Sequence, residues 1–252
     1  MLSAIKSQVR IILLDIEGTT TPVDFVYQTL FPYASSNLES YLREHFREYE
    51  IVSLIQHLQT QHRIDEHQGL QPPTWDDVYD DDKSWLHSAV AYSHWLMAND
   101  SKCTALKSLQ GKIWQEGYAN GELHGLVYAD VPPAFERWRQ QKRQICIYSS
   151  GSILSQRLLY RSVPSGDLTH HIAAFFDTRI GSKTETQSYR KIAKSLACNP
   201  CNILFISDTM KEIRAAHNAG MQAILCYRDL KASPPSEASV IIIHSFNEVF
   251  LN

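Results

Sequence analysis

Asp15 and Glu17 stand two residues apart in the segment Asp15-Ile16-Glu17-Gly18-Thr19-Thr20-Thr21-Pro22. Two carboxylates in one short polar stretch can supply a nucleophile and a proton carrier, and the Gly and Thr beside them can contact phosphate. Ser149-Ser150-Gly151-Ser152 offers hydroxyls and N–H groups just ahead of a helical pattern (Ile153, Leu154, Leu158, Leu159), and a helix N-terminus of that kind is a ready anion site. Lys183 follows Gly181 in a loop and can neutralise a bound phosphate as a point charge. Asp208 adds a further acid, with Glu212 four residues on in an apparent helix. At one edge of one sheet, Asp15 and Asp208 can share a hard cation; Mg2+ takes a few carboxylates plus waters and phosphate oxygens. Glu212 can reach that cation through water, or only stabilise the first turn of its helix. Each segment has a plain structural reading as well. Asp ends strands and caps helices, Ser caps helices, and most Lys are solvated. The ordered set is far more specific than any member.

Three of these segments directly follow apolar runs: Ile11–Leu14, Ile145–Tyr148 and Ile203–Ile206. Such runs, cut short by polar and Gly-rich residues, read as buried strands. Ala174–Phe176, Ala223–Cys226 and Val240–Ile243 are further strand candidates. Helical patterns lie between them, including one from about Pro132 to Lys142 and one that Gly220 ends. Strict alternation of this kind implies a doubly wound parallel sheet with right-handed crossovers. Ligands bind at the carboxyl ends of such strands. Between the first strand and about residue 125 the spacing is helical throughout. Pro32 marks an expected break or kink, Thr74 an expected helix cap, Asp80-Asp81-Asp82-Lys83 a turn or helix start, and Lys231–Ser236 a surface loop. The expected division is an α/β core from 1–22 and 129–252 with an all-helical cap from 23–128. An insertion directly after the first strand makes a lid over the strand ends, able to exclude water during reaction. Phe25, Val26, Tyr27, Phe31 and the cap tryptophans are candidates for an apolar pocket or for plain cap core.

The ordered motifs resemble the phosphohydrolases of the haloacid dehalogenase superfamily. The match is closer still to the enolase-phosphatases of methionine salvage, through Asp15–Pro22, Leu30-Phe31-Pro32-Tyr33, Ala105–Gly111, Tyr148–Ser152, Phe176-Asp177-Thr178 and Ser188–Ile192. The resemblance covers nearly the whole chain and is thinnest at about 50–95 and after 228. It implies attack by Asp15 on a phosphate ester, giving an aspartyl-phosphate. It implies one Mg2+ held by Asp15, Asp208 and the Glu17 main chain, and phosphoryl contacts from Ser149, Ser150 and Lys183. Glu17, where most superfamily phosphatases have Asp, is the implied acid/base. The implied substrate is 5-methylthio-2,3-dioxopentyl phosphate, enolised and dephosphorylated to the acireductone 1,2-dihydroxy-5-methylthiopent-1-en-3-one. Asp24 and the pair Thr209-Met210 depart from the pattern. The rival readings are a superfamily phosphatase for another small ester, a dehalogenase, which Asp208 and Glu17 argue against, and a non-catalytic phosphate-binding module.

With 252 residues and a net charge of −3, the chain has ample core and no field favouring nucleic acid or anionic membrane. No apolar run approaches transmembrane length, and the first ten residues are too mixed for a signal peptide. Five cysteines, two of them in apolar stretches, and a lone Cys198-Asn199-Pro200-Cys201 point to a reduced compartment. The expectation is a cytoplasmic monomer acting on a small phosphate ester.

Overall fold

The computed structural model describes residues 8–76, 82–229 and 240–251. The described chain forms two compact units, one of residues up to Val26 and from His124 onward, the other Tyr27–Leu123.

The first unit is an all-parallel six-stranded sheet. Its strands are β1 (Ile11–Leu14), β2 (Gln144–Tyr148), β3 (Ile172–Phe176), β4 (Ile203–Ser207), β5 (Gln222–Cys226) and β6 (Ile241–Ile243), in the spatial order β3-β2-β1-β4-β5-β6. All four β1 side chains are buried, as a central strand covered on both faces requires. Ile11 and Leu13 join a core with Tyr189, Ile192 and Ile213. Ile12 and Leu14 alternate to the opposite face. The longer helices of this unit, among the described residues, are α5 (Val131–Gln140), α6 (Ile153–Arg161), α7 (Thr186–Ser195) and α8 (Met210–Asn218). Gly220, at φ +90°, lies just past the end of α8, and the Met221 N–H returns to the Ala216 carbonyl; glycine adopts that backbone without a Cβ penalty. The doubly wound sheet expected from the alternation is the one found.

Chain order reverses across β1, with β2 on one side and β4 on the other. That reversal is the switch point at which open α/β sheets bind ligands. Leu14 is level with Ile147 and Ile206. The residues that follow, Asp15, Tyr148 and Ser207, therefore line one edge.

Among the described residues the second unit is helical, with α1 (Phe31–His45), α2 (Tyr49–His67), α3 (Asp82–Ala98) and α4 (Thr104–Ala119). Leu38, Leu42, Ile55, Leu58, Leu106 and Leu109 form its core. Phe31 belongs to this packing, its ring 6.2 Å from that of Trp114, whose Nε1–H donates to the Leu30 carbonyl (2.8 Å). Tyr27 is exposed. The irregularity expected at Pro32 is the π turn Val26–Leu30 just before it, and Pro32 itself is the second residue of α1, where a missing N–H is tolerated. One expectation needs correction. Thr74 does not cap a helix, since Trp75 and Asp76 after it are not helical. Asp80, Asp81 and the loop 231–236 lie outside the described residues. No helix among the described residues is long and apolar enough to cross a membrane. All five cysteines are free, with Cys146 and Cys226 buried in the sheet.

Candidate active site

Asp15 is the first residue past β1 and is 4% exposed. Its Oδ1 accepts the Lys183 ammonium (2.6 Å) and the Ile16 N–H (2.7 Å), and its Oδ2 accepts the Ser207 hydroxyl (3.0 Å). The turn that follows closes on one carbonyl, as Ile16 O accepts the N–H groups of Thr19, Thr20 and Thr21. Glu17 sits half-buried in this turn, its backbone bridged to Thr21. The Thr20 hydroxyl lies 2.7 Å from the Tyr160 hydroxyl and donates to the Asp15 carbonyl (3.2 Å). Gly18 takes φ +69°, and a Cβ there would come within 2.1 Å of Asp208 Oδ2. The Asp208 carboxylate thus rests directly on the turn that carries Glu17, and only glycine fits.

Lys183 is brought to Asp15 from 168 residues away. Its ammonium also pairs with Glu212 Oε2 at 2.8 Å. Burial alone would depress the lysine, but the Asp15 and Glu212 carboxylates outweigh it and hold the pKa above the usual lysine value. Ser207 stands between the two acids, 3.0 Å from Asp15 Oδ2 and 2.9 Å from Glu212 Oε2, and accepts the Thr209 N–H. Its single proton must serve one carboxylate at a time. Glu212 is pushed upward by burial and then by the Asp15 charge, against the pull of Lys183. Asp208 is raised by the same two causes in the same order.

Sequence reasoning placed Asp15, Lys183 and Asp208 but missed Ser207, a strand-end residue that reads like any small polar terminus. It also left Glu212 between two roles. Glu212 lies in the first turn of α8, with its side chain facing Lys183 and Ser207. Ser149 is buried at the end of β2, with its Oγ accepting the Gly151 N–H (3.2 Å), while Ser150 is exposed. Among the described residues, neither serine is hydrogen-bonded to the Asp15–Lys183 pair. Gln156 of α6 ties this loop down by donating to the carbonyls of Gly151 (2.8 Å) and Phe176 (2.9 Å).

A largely buried arginine braces the turn that follows Asp15. Arg228 donates through Nε (3.1 Å) and one terminal nitrogen (2.8 Å) to the Thr19 carbonyl, and through the other to Asp130 (2.7 Å). Its guanidinium lies over the rings of Tyr128 (4.3 Å) and Phe246 (4.8 Å). Asp130 also accepts from Ser245 and from the Phe246 N–H.

The donors around Asp15 suit a hard dication. Asp15 and Glu212 share the ammonium of Lys183, and Asp208 stands near enough to be raised by the Asp15 charge, in a largely buried space. The donors are oxygens, the type Mg2+ selects. In the helical unit, Glu44, His45 and Glu116 bring ligand atoms within 4.8 Å of one another. His45 already engages Glu48 and Glu116 through its two ring nitrogens, a pattern an imidazolium satisfies.

Residues 9–220 match the family model of the haloacid dehalogenase-like hydrolases. Enolase-phosphatase E1 of Drosophila melanogaster is 43% identical over 229 residues, covering 90% of this chain and 86% of the relative. Its namesake in Xenopus tropicalis is 41% identical over 251 residues, covering 98% and 97%. Among solved structures, the UTR4 protein of Saccharomyces cerevisiae aligns with a TM-score of 0.74 at 30% identity, over 94% of this chain and 98% of that one.

Proposed function

Because this chain belongs to the haloacid dehalogenase-like hydrolases, among the enolase-phosphatases, we propose that it converts 5-methylthio-2,3-dioxopentyl phosphate to 1,2-dihydroxy-5-methylthiopent-1-en-3-one and phosphate. The observation that carries the phosphatase half is the Asp15–Lys183 pair at the end of β1, beside Asp208. Enolase-phosphatase relatives across nearly the full chain support the enolase half.

Asp15 attacks phosphorus through a carboxylate oxygen, and the bond from phosphorus to the enol oxygen breaks. An aspartyl-phosphate results. Glu17 gives the leaving oxygen its proton. It then takes a proton from water, which attacks the phosphoryl group and frees Asp15. A phosphoryl oxygen arriving beside Asp15 Oδ1 enters the reach of the Lys183 ammonium, and Ser149 and Ser150 contribute hydrogen bonds as charge shifts. Glu212 and Asp15 hold Lys183 charged for that task. Ser207 and the Ile16 N–H fix the rotamer of Asp15.

Phosphatases of this superfamily generally use Mg2+. One ion would be held here by Asp15, Asp208 and the Glu17 carbonyl. When bound, it supplies the positive charge that lets a carboxylate approach a phosphate and polarises a carbonyl for enolisation. The same reading makes the protein a cytoplasmic monomer without nucleic-acid or membrane partners, in keeping with a net charge of −3.

Stopped-flow absorbance with the dioxopentyl phosphate, run beside phosphate release with and without chelator, tests the proposal. An enol signal that precedes phosphate, both lost with chelator, is the expected result. Phosphate release from unrelated esters alone, with no enol, would refute the substrate and leave the phosphatase.

A further inference from the structure

We infer that Tyr148 and Tyr189 are positioning residues for Lys183, each fixing the lysine's loop by donating its phenol hydrogen to a loop carbonyl. The inference rests on the role just proposed for Lys183 at the phosphoryl group.

A lysine side chain is long and flexible, so its ammonium keeps its place on Asp15 and Glu212 only if the backbone is held within reach of them. The backbone here is neither strand nor helix between Phe176 and Thr186. Two carbonyls of this loop, two residues apart, are each held by a phenol. The Tyr189 hydroxyl donates to the Lys183 carbonyl at 2.7 Å. The Tyr148 hydroxyl donates to the Gly181 carbonyl at 2.9 Å.

Neither phenol is free to wander. Both side chains are fully buried, with their rings edge to face at 5.6 Å, and Tyr189 also packs on Phe205 at 5.0 Å. The hydroxyl positions are thus set by the close-packed core of the sheet. The loop is pressed onto the same frame from the other side: at Gly181, φ +144°, an added Cβ would come within 2.2 Å of Ser188 Oγ.

Tyr148 also links two parts of the site. Its own backbone leads into Ser149, while its hydroxyl holds the loop of Lys183. The hydroxyl loop after β2 and the ammonium are therefore referred to one rigid side chain. Releasing either phenol lets the loop carbonyls turn to other donors. The ammonium then loses the fixed position between Asp15 and Glu212 from which it meets a phosphoryl oxygen.

The test uses Tyr148→Phe and Tyr189→Phe, which keep the rings and delete one hydrogen bond each. Inorganic phosphate is the probe, titrated by calorimetry into the full-length protein with Mg2+ present. The same substitutions are repeated in a Lys183→Met background, and kcat and KM are measured in parallel. Each single variant is expected to bind phosphate roughly 3- to 10-fold more weakly, the size of one lost hydrogen bond, with kcat falling more than KM rises. In the Lys183→Met background the same change should alter phosphate binding by less than about twofold, because coupled residues are non-additive. If the tyrosines serve only the core, melting temperatures fall while phosphate affinity and kcat hold, and that result overturns the inference. An equal loss with and without Lys183 overturns it as well. Should Lys183→Met fail to fold, Lys183→Ala in the presence of saturating Mg2+ serves as the background, and the single variants' phosphate affinities still decide. A wild-type protein without turnover refutes the proposed activity, while its phosphate titration continues to test the positioning.

Discussion

Gly18→Ala should separate the geometry of the site from the stability of the fold. At φ +69° an L residue carries about 1–2 kcal/mol of strain. The new methyl would also stand 2.1 Å from Asp208 Oδ2 and 2.7 Å from its Cγ. To restore ordinary contact the carboxylate must retreat by about 1 Å, a misplacement that costs on the order of 10²-fold in rate. Gly69 supplies the control: at φ +77° it has the same strain, but nothing lies within 4 Å of a Cβ there. Urea unfolding should show both alanine variants less stable by about 1–2 kcal/mol. Phosphate release across a Mg2+ titration should show Gly18→Ala alone slowed about a hundredfold, with a raised Mg2+ requirement. Wild-type turnover and Mg2+ dependence in Gly18→Ala would refute the placement of Asp208 as a ligand held against the turn.

Asp15→Asn should abolish phosphate release while leaving the melting temperature near wild type, and a variant that still turns over ester would remove Asp15 as nucleophile. Arg228→Met strands Asp130 in a site where both side chains are about 10% exposed, and removing one partner of a buried pair typically costs about 3–5 kcal/mol, readable in urea. Burial alone would raise Asp130, but Arg228, the Phe246 N–H and Ser245 hold its pKa below the usual carboxylate value. A depressed native pKa stabilises above the unfolded value and is lost as pH falls. The gap between wild type and Arg228→Met should therefore be full near neutrality and shrink below about pH 4. Gly117→Ala should destabilise, although alanine ordinarily stabilises a helix by about 1 kcal/mol over glycine, because its Cβ would sit 2.6 Å from the Tyr33 ring; a raised melting temperature would count against that packing.

The strands were legible because burial on both faces forces unbroken apolar runs, and Ile11–Leu14 stands out for that reason. Asp15, Ser149 and Asp208 were legible as the residues on which such runs stop. Lys183 was readable only through its place in an ordered set, since its partner lies across the sheet and nothing local announces it. Ser207 and Arg228 carried no signal: a small polar strand end and a lone arginine in a loop gain meaning only from what they touch. Tyr148 read as the end of an apolar strand and Tyr189 only as part of the Ser188–Ile192 motif; both are core, and their hydroxyl bonds are invisible to hydrophobic periodicity. Thr74 failed for the opposite reason. A good capping residue was present, but Trp75 and Asp76 after it are not helical, and capping preference cannot create helical packing by itself.

The central strand is also the one whose neighbours reach it last. β1 is flanked by β2, which begins at Gln144, and by β4, which begins at Ile203. At about 5–20 residues per second of synthesis, Ile11–Leu14 waits on the order of 10–40 s for its second neighbour. Parallel pairings across such sequence gaps also form slowly once the chain is complete. Throughout that interval an apolar tetrapeptide keeps at least one edge open to any other strand. The segment that leads into Asp15 is thus open to mispairing for that whole interval, and a chain cut before Ile203 keeps that hazard while lacking every residue from β4 onward.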